Sequence, residues 1–580
     1  YTQIVNLQGM QHLFKITDGV QIRFDIESPL FRALISQVKG LSTDLSLKFY
    51  EKKFEFTHFT EKANDGFLSP FILHKIIPNL AKYATYKLKP LEMIQNFHRI
   101  GLEVSGGVGA YSAKPFFVNE VSAFGGKKKM LASYYLRDEY GRLHIYRDRL
   151  IQTGTGLNID LATIDLFAAK FSIFRMVAGI SKFDVKTTDV IFDFDELERE
   201  KSLSYLDEAR RAQEYEALRA IETGRDLAPF PFVKEHFLVH SKGTHKVQGL
   251  GALYAFNLEY NKSETTTKVR LEEQGEHYFH RLTTMKNASI GIENFSLLMS
   301  NSDVLMKNRK RVRVHTEMDL DNPGKFILAI RSEDFFDIRS RQELLALISD
   351  LNRRYSKNQD TPFYSHTPDE DNLGLFRKVY GLTRVFIDGE KFIERFTTAN
   401  REEFKAALVH HFSDKNDIPA HISSLPFGMR GPVKSLLNKA LEIQAMLSAS
   451  QGKDRQSINK EVAKKIHSLV QKLDTATYGL TFLKELIGEE GLYVMGDIAG
   501  VLPNAGTMQD PQEQQRRRFT AVAWGHYARS PVIQLFLRNQ RPLQPTSLIT
   551  KLMSDTDTFG SLEMGIAPNL LFTYDHNRGF

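Results

Sequence analysis

The side chains able to do chemistry fall into three groups, and histidine comes first. His236 and His240 stand four apart and His245 follows shortly after. On an extended segment a spacing of four turns both imidazoles to one side. Three imidazoles are a zinc-type ligand set, but no acid or further histidine is placed to complete it. Interface or surface histidines are therefore expected. His277 and His280, three apart, fall on opposite faces of a strand, and His410-His411 close a helix, where a partial positive charge suits the dipole.

Carboxylates form the second group: Asp184, Asp189, Asp193 and Asp195, then Glu317, Asp319 and Asp321. Period-two spacing places Asp193 with Asp195 on one face and sets the Glu317 series on another. Calcium takes such oxygens, yet neither run has the loop pattern with its central glycine. Solvated strand faces and an acidic helix start are expected instead. A carboxylate pair for glycoside cleavage depends on a separation that only the fold fixes.

The third group is basic. Arg309, Arg311 and Arg313 alternate, which puts three guanidinium groups on one strand face. They are predicted to form a contact patch for an anion: lipopolysaccharide, phospholipid or a partner protein. Tyr254 and Phe256 are the aromatic candidates for contact, with packing as their competing role.

Motifs that would settle a reaction are missing from the sequence. There is no G-x-x-x-x-G-K-[ST] and no G-x-G-x-x-G between a strand and a helix. There is also no G-x-S-x-G and no H-E-x-x-H. Gly154-Thr155-Gly156 and Gly249-Leu250-Gly251 are predicted to be strand glycines, at bulges or close approaches. Catalytic residues, cofactor and metal are accordingly predicted as none.

The 580 residues carry 77 Lys+Arg against 70 Asp+Glu, a net +7, with 42% hydrophobic and 25% charged residues. Those fractions belong to globular chains. No apolar run of about 18 residues occurs, which excludes a membrane-spanning helix. Cysteine is absent, which excludes disulfides, thiolate zinc sites and cysteine nucleophiles. A thiol-free chain of this size fits export into an oxidising compartment, and a first residue of Tyr1 fits a processed chain. The pI of about 9.0 brings no helix-turn-helix, RNP-type or zinc-finger motif with it, so nucleic acid is not an expected partner.

The elements needed to position these residues divide the chain in two. Residues 1–91 mix short strands with helical patterns. Residues 92–195 and 230–336 have β texture, and 196–229 is a charged connection whose helix is predicted from Glu196 to about Thr223, capped by Gly224. A small α+β region, 337–425, and a helical domain, 426–580, follow. Hairpins are predicted over Ala132–Tyr146 and over Arg311–Ile330, the latter turning on Asp321-Asn322-Pro323-Gly324. Gln248 to Tyr260 is predicted to be one strand, large residues on one face and small on the other, suiting a tight barrel, a sandwich or an outer-membrane strand. Capping boxes at Ser340/Glu343 and Asn400/Glu403 open two helices, Pro432 starts a third, Arg455–Leu473 forms a fourth, and Asp510-Pro511-Gln512-Glu513 is a further start signal.

A local register recurs three times: Gly141 and Arg147, Gly275 and Arg281, Gly389 and Arg395, each six apart. If the β body is duplicated, a broad contact surface is favoured over one reactive pocket. At the C-terminus Phe572, Tyr574, His576, Arg578 and Phe580 alternate. This resembles the closing strand of bacterial outer-membrane barrels, although His576 and Arg578 depart from its apolar rule.

The expected fold is α+β and multidomain: an antiparallel β-rich N-terminal half, sandwich- or barrel-like, followed by a mainly helical C-terminal half. The expected function is a non-enzymatic structural or binding component of a bacterial cell-envelope or surface assembly, in periplasm or outer membrane. Other proteins of a larger complex, further copies of the chain, and anionic envelope lipid or polysaccharide are its expected partners. Two alternatives stand beside it: an outer-membrane β-barrel pore, and an exported hydrolase.

Overall fold

The computed structural model describes residues 2–5, 13–27, 41–60, 80–89, 92–111, 117–137, 141–166, 169–194, 208–223, 225–252, 256–271, 275–291, 306–337, 341–357, 363, 378–413, 425, 427–449, 454–501 and 517–520. The chain is α+β, with an antiparallel β-rich first half and a mainly helical second half.

Strands β1 (Thr2–Val5), β2 (Leu13–Glu27) and β3 (Leu41–Thr60) precede helix α1 (Leu80–Tyr86). Strands β4 (Glu92–Tyr111), β5 (Phe117–Arg137), β6 (Leu143–Leu166) and β7 (Ala169–Phe192) lead to helix α2 (Glu208–Thr223). Strands β8 (Val233–Ala252), β9 (Phe256–Leu271), β10 (Gly275–Gly291), β11 (Met306–Asp319) and β12 (Phe326–Asp337) follow. Helix α3 (Arg341–Tyr355) and strand β13 (Lys378–Asp388) come next. Six helices α4–α9 then occupy Gly389–Thr398, Arg401–His411, Phe427–Ala449, Arg455–Leu473, Thr475–Tyr478 and Thr481–Ile487. Strands β14 (Leu492–Val501) and β15 (Arg517–Thr520) complete the described chain.

The fifteen strands among the described residues belong to one sheet in strict sequence order, each antiparallel to the next. Pairing continues across the long connections: Phe192 opposes Val233 on either side of α2, and Leu328 opposes Ile387 on either side of α3. Such an up-and-down order needs only hairpin-type returns, so the strands can be long. Strands β6 and β7 each run 24 residues, roughly 80 Å at about 3.3 Å per residue.

Helices cover one face of this sheet, termed outer here. On α7, Val462, Ala463, Ile466, Leu469, Val470 and Leu473 are buried at three- and four-residue spacing, the stripe by which a helix docks. They join Val314, Met318, Leu328, Ile330, Val385 and Val494 of the sheet and Phe392, Phe396 and Phe404 of α4 and α5 in one core. A second, smaller core joins α1 and α2 to β4–β7 through Ile94, Tyr135, Leu143, Phe192, Ala217 and Leu218.

Several local expectations are met. Glu403 N–H donates to Asn400 Oδ1 at 3.0 Å, and Asn400 N–H donates to Glu403 Oε2 at 3.1 Å, the reciprocal cap of α5. The β11–β12 turn falls where the Asp-Asn-Pro-Gly run put it, with Met318 opposite Phe326. Gly141 and Gly275 both take positive φ just before or at a strand start.

Others are corrected. Gln248 to Tyr260 is two strands, because Ala252 opposes Phe256 and the chain reverses between them; no Gly or Pro marks that return. The third repeat copy fails: Gly389–Thr398 is helix α4, with the Asp388 carboxylate accepting from Lys391 N–H at its start. Pro432 lies inside α6, whose first residue is Phe427. Strands β2 and β3, 15 and 20 residues long, replace the short strands expected near the N-terminus. Of the predicted Glu196 helix the described part begins at Glu208. Ser340, the Asp510 start signal and the C-terminal alternation lie outside the described residues.

Candidate functional site

Strand alternation assigns every second residue of β5–β14 to the outer, helix-bearing face. His467 on α7 meets the hydroxyls of Thr284 and Thr316 at 3.0 and 2.9 Å. Lys464 pairs with Glu264 at 3.2 Å. On α2, Glu214 meets Arg137 at 2.9 Å and the Ile221 carbonyl accepts from Arg147 at 2.8 Å. All four strand positions Arg137, Arg147, Glu264 and Thr284 share the outer parity. These contacts lie toward the end of the sheet that carries the β5–β6, β9–β10 and β11–β12 turns.

Toward the opposite end the usual relation of polarity to burial is inverted. Outer-face Ile180, Leu250 and Leu258 are 39%, 41% and 41% exposed. Inner-face Glu259 and Asn261 are each 8% exposed, and Thr265, Thr267 and Ser241 are buried. Leu250 and Leu258 face each other directly across β8 and β9. Met176 and Ala178 continue the outer apolar set in β7, with Met176 opposite Leu250 and Ala178 opposite Gln248.

Beside these apolar positions the outer face turns basic, and Ile180 itself stands opposite Lys246. Lys127 and Lys129 of β5, Lys182 of β7, Lys246 of β8, and Lys286 of β10 are exposed, and Lys262 of β9 is half-buried. Lys246 opposes Lys262, and Tyr260 opposes Lys286. The consecutive Lys127, Lys128 and Lys129 of β5 thus place two lysines on this border.

The inner face carries polar networks beside a buried apolar cluster of Leu150, Phe183 and Val185. Asn261 Nδ2 donates to Glu259 Oε1 at 2.6 Å, and the Ser241 and Thr267 hydroxyls meet at 2.9 Å. Arg281 Nε lies 3.4 Å from Glu317 Oε2, His315 Nε2 3.7 Å from the same oxygen, and Thr283 Oγ1 3.0 Å from His315 Nδ1. Farther along, Glu333 holds two arginines, Arg331 Nε at 2.6 Å and Arg311 Nη1 at 3.4 Å. Gly243 also faces inward, and Phe183 sits where its Cβ would be, 2.5 Å away. That close approach is the reason for glycine there.

The arrangement of the arginines is the least expected feature. Arg313 of β11 stands opposite Arg331 of β12, and Arg331 stands opposite Arg384 of β13. Like charges at directly opposed positions oppose sheet formation. Arg313 meets Met285 Sδ at 3.8 Å, and Arg331 Nη1 is buried with no acceptor.

The predicted arginine patch is therefore brought onto the inner face: Arg311 and Arg313 are half-buried there, while the side chain of Arg309 lies outside the described residues. The same holds for Phe256, first residue of β9, and Tyr254 lies between β8 and β9 outside the described residues. Arg331, Arg384 and Glu333 were missed by sequence reasoning, because their membership depends on strand register.

The histidine and acid clusters do not converge. His240 Nε2 pairs with Asp184 at 2.8 Å, and Asp184 also takes Lys242 at 3.4 Å. Asp193 pairs with Lys234 at 3.6 Å. His240 opposes Lys186, seven strand residues from Asp193, roughly 23 Å along the strand. His245 has the parity opposite to His240, and His236 sits at the β7–β8 bulge with its side chain outside the described residues. No group of three or more metal-ligating side chains gathers among the described residues.

Glu317 and Asp319 are not solvated as expected: both are buried, Glu317 by its inner-face partners and Asp319 by accepting the Asp321 and Asn322 N–H groups. His411 is buried as well, 2.8 Å from the Leu473 carbonyl, and desolvation pulls its pKa down to about 4. It is neutral at pH 7 and supplies no charge to the helix end. His410 pairs with Glu485 at 2.8 Å on the surface.

No family model, no curated protein and no solved structure matches this chain.

Proposed function

We propose that the sheet is the wall of a membrane-inserted β-barrel with a polar lumen, in an outer membrane or comparable envelope membrane. One observation carries this: polar Glu259, Asn261 and Thr265 point inward and are buried, while Leu250, Leu258 and Ile180 point outward and are exposed. A water-soluble sheet has the reverse arrangement, and a transmembrane barrel alternates apolar-out and polar-in.

Two further features support it. A bilayer is crossed by about 9–11 strand residues, so strands of 20–24 residues leave half their length outside the membrane, and helices pack on that half. Lysines edge the apolar band, where long stems reach from hydrocarbon to headgroups. The helical domain on the outer face then stands in water beside the membrane and supplies a surface for other envelope components, the binding role expected from the sequence.

The test is extraction. Full-length protein mixed with vesicles during refolding should stay with the lipid through alkaline carbonate and leave only in detergent. Release by salt or carbonate alone would eliminate an integral barrel and return the chain to a peripheral binding role.

A further inference from the structure

The inner face is not uniformly polar. Its rows, read across the strands, have different charge. One row runs Thr265, Arg281, Glu317; the next runs Thr283, His315, Ala329, Phe386. Both are neutral or balanced. The third row runs Asn261, Met285, Arg313, Arg331, Arg384 and Met495, with three adjacent guanidinium groups and no acid within it.

Glu333, one row away, pairs with Arg331 and is shared by Arg311, and Asp497, opposite Leu382 in that same row, is a second acid position on the inner face. Two arginines on one carboxylate leave net positive charge on a wall with little access to water. Arg313 has a thioether as its polar contact, and Arg331 keeps a buried Nη1 without an acceptor. A buried donor without an acceptor typically costs about 1–3 kcal/mol, more when charged. The opposed cations add repulsion.

We infer that the Arg313–Arg331–Arg384 row is an anion-selecting station in the lumen, taking a small tetrahedral oxyanion of the phosphate type. This rests on the barrel assignment for its transport role, though not for binding itself. Guanidinium forks match phosphate oxygens in pairs, and neighbouring strands about 4.8 Å apart set adjacent forks at a spacing one such anion bridges. Anion pores use this device, arginines lining the passage. Large polyanions do not fit the arrangement: the inner face carries the acids Glu259, Glu317 and Glu333 in its other rows.

Two measurements on the full chain test it. In detergent, inorganic phosphate is titrated calorimetrically against wild type, Arg313→Gln, Arg331→Gln and, as a charge-matched control in an exposed turn, Lys325→Gln. In planar bilayers under a salt gradient, reversal potentials give the anion-to-cation permeability ratio for the same proteins. Each row variant should weaken phosphate binding about tenfold or more and lower the permeability ratio; Lys325→Gln should change neither. Arg331→Lys, which keeps the charge and loses the fork, should keep anion preference while losing phosphate affinity.

Channels without anion preference and without phosphate binding would overturn the station and leave the barrel standing. Arginine-dependent phosphate binding without channels would uphold the station and count against a conducting lumen. Absence of both would overturn the station, with carbonate extraction deciding the barrel separately.

Discussion

Leu258 and Glu259 are consecutive in β9, yet the leucine is the exposed residue and the glutamate the buried one. In water that order wastes apolar burial worth about 1.5–3 kcal/mol and hides a carboxylate. In a bilayer it is the favourable order. Leu258→Arg therefore separates the two settings. On a soluble surface it should change stability by no more than about 0.5 kcal/mol. At a lipid-facing site it should cost about 2–4 kcal/mol. Urea midpoints of vesicle-inserted wild type and variant measure the difference, and equal midpoints would contradict a lipid-facing Leu258.

Arg137 and Glu214 tie the sheet to α2. Their ion pair is buried, and the Arg137 guanidinium also donates to the carbonyls of Gly141, Ala84 and Thr85. One group thus fastens β5, α1 and α2. Glu214→Ala should cost about 3–5 kcal/mol because it strands a buried cation. The double variant Arg137→Met, Glu214→Leu should recover much of that. Limited proteolysis near residues 208–223 reports the loss, and an unaltered cleavage pattern in Glu214→Ala would argue against the tie.

Acid should loosen the helical domain. Desolvation lowers His411 to about 4 and His467 to about 3, both in helices outside the strands. Their folded pKa values lie below the unfolded value of about 6.5. The unfolded chain therefore takes up protons first as pH falls. Stability should be full above about pH 6.5 and decline toward pH 4, by up to about 1.4 kcal/mol per pH unit for each histidine. Thermal unfolding from pH 7.5 to 4 checks the slope. His411→Gln should flatten it, and a stability that rises on acidification would contradict the assignment.

Two glycines of positive φ offer a paired test of packing. Gly479 and Gly488 have φ of 92° and 78°, but a Cβ at Gly479 would lie 2.9 Å from Arg354 Cα, whereas nothing lies within 4 Å at Gly488. Both alanine variants bear the strain of a left-handed backbone, about 1–2 kcal/mol. Gly479→Ala adds a clash with backbone that cannot swing away. Its melting temperature should fall further than that of Gly488→Ala. Equal losses would show that the α3–α8 contact gives way freely.

Local structure was more legible in the sequence than the site. The Asn400/Glu403 box is set by residues three apart and was read directly, as was the span Arg455–Leu473 of α7, whose buried stripe the structure adds. The division into a β half and a helical half was likewise read, since it rests on composition. Register was not readable. A turn centred on Asp321–Gly324 would pair Leu320 with Lys325 and put Arg313 opposite Ser332. The structure pairs Met318 with Phe326, and that one-residue slip brings Arg313 opposite Arg331. A slip of one exchanges the faces of a whole strand, so the arginine row exists only once register is known. The alternation around Gln248–Tyr260 was visible, but alternation shows two faces without saying which one is inside. The missing turn signal hid the β8–β9 reversal for the same reason that Gly389 misled: short segments carry several compatible structures until neighbours choose among them.

The lack of cysteine makes the decisive measurement simple, because each introduced thiol is unique. Single cysteines at 258, 259, 260, 261, 262 and 263, each carrying an environment-sensitive fluorophore, can be read in vesicles containing brominated lipid or aqueous iodide. Labels at 258 and 260 should be quenched by brominated lipid. Labels at 259, 261 and 263 should answer to iodide alone, and 262 should mark the border. Iodide quenching at all six positions, with no response to brominated lipid, would contradict a membrane-facing outer surface and with it the barrel.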